Sequence, residues 1–511
     1  MLVSFTSVTY HRRTICLITL LLVFALNGYS KDYDILDYGA EDGKKSTEAI
    51  QDAIDLCHSE GGGRVIVPQG RFITGTLVLK DFVLLHLEQG AILEGSLDRE
   101  DYLQTFRLHG MVFAEDATNI GITGSGTIQA NGIHFYDTTA NHTYEEFDRK
   151  LTRQGLDYMP EGEFYSDGPY KRLPKPGMTL SFFHCSQLTL KDFTLLDSPS
   201  WAIRMAYVEE ASVDNIRIFN NLMIPNSDGI HLTASRNVRI NNCHIRGGDD
   251  AIVMTGFAIE EDVPDFDPEV QKATKYGNKS EYAENLIVTN CQLQSRSAGI
   301  RVGYGQHPIR RCTFSNIQIY GSNRGIGIFA HDKSHIEELH FSNISIETRL
   351  HNGQWWGNAE PIHLSAVSRF PGLSAGSIKD VYFHQITMVG EHGINLYGLE
   401  DSPLENIHMS RMKLLITKGV ETESYGGNFD LRPVADPQLR LFKHDIPGLY
   451  AQNVNGLYLD HFHLEWGEDL PSFFTHGIWL KDVSGFEKVN VNSPHNPGSK
   501  DGKPIYRNQP D

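Results

Sequence analysis

The sequence predicts an all-β protein wound as a parallel β-helix, with a helix capping its N-terminal end. Three observations lead there. First, seven segments share one design: "QLTLKDFTLLD", "EASVDNIRIFN", "NVRINNCHIRG", "NLIVTNCQLQS", "RCTFSNIQIYG", "ELHFSNISIET" and "DVYFHQITMVG". Each has alternating apolar residues, a polar residue, then more alternation. Period-two alternation marks strands. Second, taking the polar residue as register gives Asp192, Asn215, Asn242, Asn290, Asn316, Asn343 and Gln385, with steps of 23, 27, 48, 26, 27 and 42. The period is in the mid-twenties, and each long step is one period plus an insertion. Fixed-period self-similarity marks a solenoid. Third, this period is too short for a strand, a helix and their turns, but it fits three short strands per coil. Successive rungs then stack about 4.8 Å apart. A β-propeller is the alternative, and its blades are longer, at about 40–45 residues.

Taken in order, residues 1–30 have the pattern of an export signal. Arg12 and Arg13 precede the apolar run "ICLITLLLVFAL", and Gly28 and Ser30 fit the small residues of a cleavage site. The run is too short for a comfortable membrane span, and no later segment is apolar enough to be one. A secreted or periplasmic location follows. Residues 31–511 are expected to form one parallel β-helix catalytic domain. In "STEAIQDAIDLCHSEGGGRVIVPQGRFITG", Ser46 is placed to cap a helix, Glu48 to Cys57 carry helical spacing, and Gly61, Gly62 and Gly63 stop it. A helix is the expected cover for an open solenoid end. "FVLLHLEQGAILEGS" and "NIGITGSGTIQA" are first rungs, and "ENIHMSRMKLL" and "GLYLDHFHLEW" continue the series. Three segments interrupt the rhythm, 131–178, 256–284 and 350–360. Insertions in solenoids map to loops, often on the binding face.

The formal charge of −19 argues against nucleic acid as a partner. It also means that an acidic ligand needs locally placed Arg or Lys. Five cysteines follow the signal: Cys57, Cys185, Cys243, Cys291 and Cys312. An odd number cannot all pair within one chain. The absence of a C-x-x-C spacing speaks against zinc, so they read mostly as buried small hydrophobes.

The chemistry concentrates in "NSDGIHLTASRNVRINNCHIRGGDDAIVM", residues 226–254. Asp228 precedes Asp249 and Asp250 by 21 and 22 residues, close to one rung, so the three carboxyls are expected on one wall. Like charges that close cannot all ionise freely. One protonated acid beside one ionised base is what glycoside hydrolysis requires. Plain Asp-Gly and Gly-Gly-Asp turns, or a calcium site, are the alternatives.

These residues resemble glycoside hydrolase family 28, the polygalacturonase family. The likeness runs through most of the chain after the signal. "YGAEDGKKSTEAIQDAIDLC" and the rungs that follow are similar to its N-terminal cap. "SPSWAI" at 198–203 resembles the stretch before its site, "NSDGIH" its Asn-x-Asp motif and "GGDDAI" its Asp-Asp motif. The resemblance implies a right-handed coil and hydrolysis with inversion at the anomeric carbon. It implies Asp249 as general acid, Asp228 and Asp250 positioning and activating water, and Asn226 orienting the site. No cofactor and no metal are expected.

Two family motifs are missing. Where the family has Gly-His-Gly this chain reads "SRSAGIRVG", with Ala298 at the histidine position. Where it has Arg-Ile-Lys, the chain reads "RGIGIFA", with Gly327 and Phe329 in place of both cations. In the family those cations hold the galacturonate carboxylate beside the cut. Arg296 and Arg301 are candidates to restore positive charge and bind substrate, the alternative being ion pairs with nearby acids. Arg324, His331 and Lys333 lie a rung further on, with Tyr304 and His307 as weaker candidates for the rim. Trp355 and Trp356 in "RLHNGQWWGNAEP" read either as a sugar-stacking platform or as a hydrophobic plug for their loop. His231 is expected to point inward.

The sequence thus points to a hydrolase of pectin-type acidic polysaccharides or oligosaccharides. The long insertions suggest a pocket closed at one end, hence exo-action. A β-helix polysaccharide lyase and a non-catalytic glycan-binding coil are the other classes. The sequence leaves the oligomeric state open.

Overall fold

A computed structural model of the chain describes residues 31–105, 107–142, 166–257 and 282–508. The export signal lies outside them, as do 143–165 and 258–281 of the first two insertions. The strands form three parallel columns that repeat rung by rung. The first column includes Glu209–Asp214, Arg236–Asn241 and Ala283–Thr289. The second includes Arg217–Phe219, His244–Gly247 and Gln292–Ser295. The third includes Ile203–Ala206, Ile230–Thr233, Ile252–Gly256, Ala298–Gly305, Arg324–Phe329 and Ile362–Ser365. From Ile309–Ser322 onward the first two columns share continuous strands. This is the parallel β-helix that the repeat predicts.

The polar residue of each repeat makes the corner between the first and second columns. Asp192 has φ 70°, and Asn215, Asn242, Asn290, Asn316, Asn343 and Gln385 have φ of 53–56°. One left-handed residue turns the chain, and Asn and Asp enter that region at least cost. Their side chains form part of a ladder: Asn215 Nδ2 donates to Asp192 Oδ1 at 2.8 Å and Asn343 Nδ2 to Asn316 Oδ1 at 2.8 Å. Arg411 and His461 continue the column, both at φ 54°. The two late segments are therefore rungs, as expected.

Inward positions carry Ile, Leu, Val and Phe in one core that runs from Tyr33 to Leu480. All five cysteines are buried and free, and Cys243 and Cys291 take the inward place after their corner asparagines. The cap helix is Thr47–Ser59, and it buries Ala49, Ile50, Ala53, Ile54 and Cys57 against the first rungs. Ser46 does not cap it through its side chain. Its hydroxyl instead donates to the Lys44 carbonyl at 3.2 Å, and only its backbone carbonyl joins the helix, accepting from Ile50 at 3.0 Å. A further insertion, 417–448, escaped the sequence reading. It carries an antiparallel pair, Asn428–Asp430 with Leu441–Lys443.

Candidate active site

The third column builds the site. Ile203, Ile230, Ile252, Ile300, Ile326 and Ile362 stack in register and face the core. Two residues before each lies the sequence Trp201, Asp228, Asp250, Ala298, Arg324 and Glu360. One residue after each lies Arg204, His231, Val253, Arg301, Gly327 and His363. Alternation places the second series on the outer face, while Asp228 and Asp250 lie in the turns before the strands that begin at Ile230 and Ile252. The Asp228–His231 and Asp250–Arg301 pairs bring both series to one outer wall. Asp228 and Asp250 are therefore consecutive steps of one column, and Asp249 sits at the turn beside them. Gly248 makes that turn possible: a Cβ there would come within 2.2 Å of the Ile224 carbonyl and 2.7 Å of Ser227 Oγ. The Gly248 N–H instead donates to Ser227 Oγ at 2.9 Å, which ties the two aspartate motifs together.

The three carboxyls are 2%, 6% and 4% exposed for Asp228, Asp249 and Asp250. Their partners differ. Asp250 Oδ1 accepts from the Ala298 N–H at 2.8 Å, and Oδ2 forms an ion pair with Arg301 Nε. Asp249 Oδ1 accepts from the Asp250 N–H at 3.0 Å, and the Ser297 hydroxyl also bonds its carboxyl. Asp228 Oδ2 lies 2.9 Å from His231 Nδ1, while Oδ1 is buried without a partner. Burial, then the charge of Asp250, pushes Asp249 up to about 7, against the pull of Arg301. Burial, then Asp249 and Asp250, holds Asp228 well above the usual carboxylate range. Burial holds His231 well below the usual imidazole range, helped by Arg301 and Arg204, so its ring is neutral. Such a site can keep one carboxyl protonated near neutral pH beside a carboxylate paired to Arg301, the division that acid–base chemistry needs.

Other expected residues fall differently. Asn226, at φ 56°, accepts from the Arg172 guanidinium through its amide oxygen. Arg296 pairs with Asp167 at 2.5 Å and bonds His351. Arg324 is buried against Glu360, at 3.2 Å. His331 is held by the Pro433 carbonyl and Ser365 Oγ, at 2.8 and 2.7 Å. Trp355 is 2% exposed and donates from Nε1 to the Asp167 carbonyl at 2.6 Å, so its ring plugs the loop and is not open to a sugar. Trp356 is half-buried, with the Arg432 guanidinium 5.7 Å from its ring. His231 does not point into the core. It faces out on the wall, with the Trp201 ring stacked on it at 3.7 Å and 18°. Glu360 and His363 were missed, although counting the outer column forward from Asp250 reaches both. Asp167, Asp430 and Arg432 gave no signal, because loops bring them in from outside the repeat. Among the described residues no group of three or more His, Cys, Asp or Glu is arranged as a metal site.

Curated relatives match parts of the chain. A probable polygalacturonase of Vitis vinifera is 27% identical over 240 residues, 43% of either chain. An exo-poly-alpha-D-galacturonosidase of Dickeya chrysanthemi is 28% identical over 295 residues, 50% of this chain and 47% of that one. The chain thus spans about half the length of these relatives. The solved family 28 exopolygalacturonase of Yersinia enterocolitica shares the fold, with a TM-score of 0.62 and 18% identity over 89% of this chain and 78% of that one. The sequence model of glycosyl hydrolases family 28 matches residues 160–424, just over half of the chain. That span holds both aspartate motifs and the rungs that bring them together, and the chain belongs to glycosyl hydrolases family 28.

Proposed function

We propose that the protein is an exported glycoside hydrolase that cleaves pectin-type acidic polysaccharides or oligosaccharides from a chain end, with inversion at the anomeric carbon. One observation carries this reading: three buried carboxyls share one wall with a single guanidinium, Arg301, on one of them. Asp249 is the general acid and gives its proton to the leaving glycosidic oxygen. Asp250, as the carboxylate paired with Arg301, takes the proton of the attacking water. Asp228, neutral and bonded to His231, holds the water's position. Water then enters on the face opposite the leaving group, and the anomeric centre inverts. Asn226 and the half-buried Trp356 line the approach.

Exo-action is supported by what lies over the rungs after Arg301. The 417–448 insertion is fastened there by buried contacts: Arg432 with the Trp355 carbonyl at 3.3 Å, Arg324 with the Asp430 carbonyl at 3.3 Å, and Asn358 with the Asn428 carbonyl at 3.0 Å. Arg296 and Trp355 tie Asp167 to the 350–360 loop on the same wall. A substrate chain running along the wall meets this barrier. Export is supported by the charged and then apolar residues 1–30, and no helix among the described residues is long and apolar enough to cross a membrane.

The test incubates the protein with galacturonan and rhamnogalacturonan oligosaccharides and reads products by mass spectrometry, with Asp249→Asn as control. Addition of water by the wild type alone, with single terminal units released first, is expected. Mass-neutral cleavage to unsaturated products would turn the reading to a lyase. An early ladder of oligosaccharides would remove exo-action, and binding without turnover would make the protein a glycan-binding coil.

A further inference from the structure

Gly327 and Phe329 stand where the family carries two cations, and the structure shows what fills that space. A Cβ on Gly327 would come within 2.5 Å of Phe329 Cε2 and 2.7 Å of its Cζ. The Phe329 ring therefore lies back over the place of a side chain at 327. Tyr304 stacks on it at 5.6 Å and 29°, and the Arg324 guanidinium lies 5.1 Å from the ring. An aromatic plug occupies the position of a carboxylate clamp.

Four arginines of this wall are committed to protein carboxylates, while Arg172 is bonded to Asn226 and Lys333 is exposed. Arg301 is on Asp250, Arg324 on Glu360, Arg296 on Asp167, and Arg369 on Asp332 at 3.0 Å. Arg204 is fully buried, with Trp201 and Phe183 against its guanidinium at 5.4 and 4.9 Å. His231, His331 and His363 are each held below the ordinary imidazole range, mainly by burial. Around the acids, then, positive charge is matched or exceeded by carboxyls. A free uronate seated here would bring an anion to a desolvated wall whose nearest arginines, Arg301 and Arg324, already neutralise protein carboxylates.

We infer that the sugar seated on the wall beside Arg301 and Tyr304, in front of the buried Phe329 plug and next to the bond that is cut, carries no charge: it is a neutral sugar or an esterified uronate. This rests on the hydrolase reading and narrows it. A pectin-type polymer offers such a unit wherever its uronates are esterified or alternate with a neutral sugar. The half-buried Tyr304, with its hydroxyl and ring, suits a polar, uncharged sugar.

The experiment uses one galacturonan oligosaccharide in two forms, methyl-esterified and saponified, and an oligosaccharide alternating galacturonate with rhamnose. Turnover is measured with the wild type, and affinity with Asp249→Asn by calorimetry. At least a tenfold preference for the esterified or alternating compound over the free acid is expected in kcat/KM and in Kd. In Phe329→Lys that preference should shrink about tenfold. Equal or better use of the free acid would overturn the inference. A binding preference without turnover would uphold it and remove the hydrolase reading, and binding to none of the three would overturn both.

Discussion

Replacing Asp249 by Asn should abolish hydrolysis and at the same time stabilise the folded protein at neutral pH. Asp249 is buried beside Asp250, and its pKa rises from 3.8 to about 7. The folded state therefore holds a proton that the unfolded chain has lost between those two values. Stability from this group is fully present below about pH 4 and is lost as pH rises through about 7. At about 1.4 kcal/mol per pH unit, the loss is roughly 4 kcal/mol by pH 8. Asn cannot lose the proton, so the variant keeps what the wild type gives up. Asp228 and Asp250 face the same volume, and Asp228 takes up part of the effect, which makes this figure an upper value. Urea unfolding of both proteins from pH 4 to pH 8 measures it. The curves should coincide at pH 4 and separate by 2–4 kcal/mol, on the order of the linkage figure, by pH 8. A constant difference across the range would refute the assignment of Asp249 as a neutral acid.

Other outcomes follow from the same geometry. Arg301→Gln breaks an ion pair whose side chains are 10% and 5% exposed, which should cost about 3–5 kcal/mol in thermal or urea unfolding. With its positive charge gone, the Asp249 pKa should rise further, so the alkaline limb of the activity profile moves to higher pH while the maximum falls. Asn343→Val, at a corner with φ 53°, should cost about 1–2 kcal/mol of stability and leave kcat/KM unchanged, because the corner faces away from the acids. Wild-type activity should itself fall above about pH 7 as the general acid loses its proton.

The fold was legible because a solenoid writes itself into the sequence many times. Each polar register residue, from Asp192 to Gln385, marks a left-handed corner, and the inward columns repeat the same apolar types. The pairing of Asp228 with Asp249 and Asp250 was legible for the same reason, since a separation of one rung is a statement about stacking. Arg301 was legible as a candidate cation because it follows the altered Gly-His-Gly position on the next rung. What stayed hidden came from outside the repeat. Asp430 reaches Arg324, and Arg432 the Trp355 carbonyl, from a loop far along the chain, and no period links them. Asp167 approaches Arg296 from the opposite direction. His231 was misread because a histidine after an apolar isoleucine resembles core, and only the register against Val253 puts it on the wall.

The missing motifs and the intact acids are compatible for a reason the coil makes plain. Each rung contacts mainly its two neighbours, so a change on one wall position is felt over about one rung in either direction. Asp228, Asp249 and Asp250 draw their bonds from their own two rungs and from Ala298, Ser297 and Arg301 on the next. Gly327 and Phe329 lie one rung beyond that. The Phe329 ring, folded over Gly327, lies against Tyr304 and Arg324 rather than any of the three aspartates. Substitution there alters what the neighbouring subsite accepts while the proton inventory of the acids is kept. Arg301 is the residue where the two functions meet: it pairs with Asp250 through Nε and lies 4.7 Å from the Tyr304 ring that backs the plug. With its charge committed to Asp250, the neighbouring subsite is left aromatic and without a net positive charge.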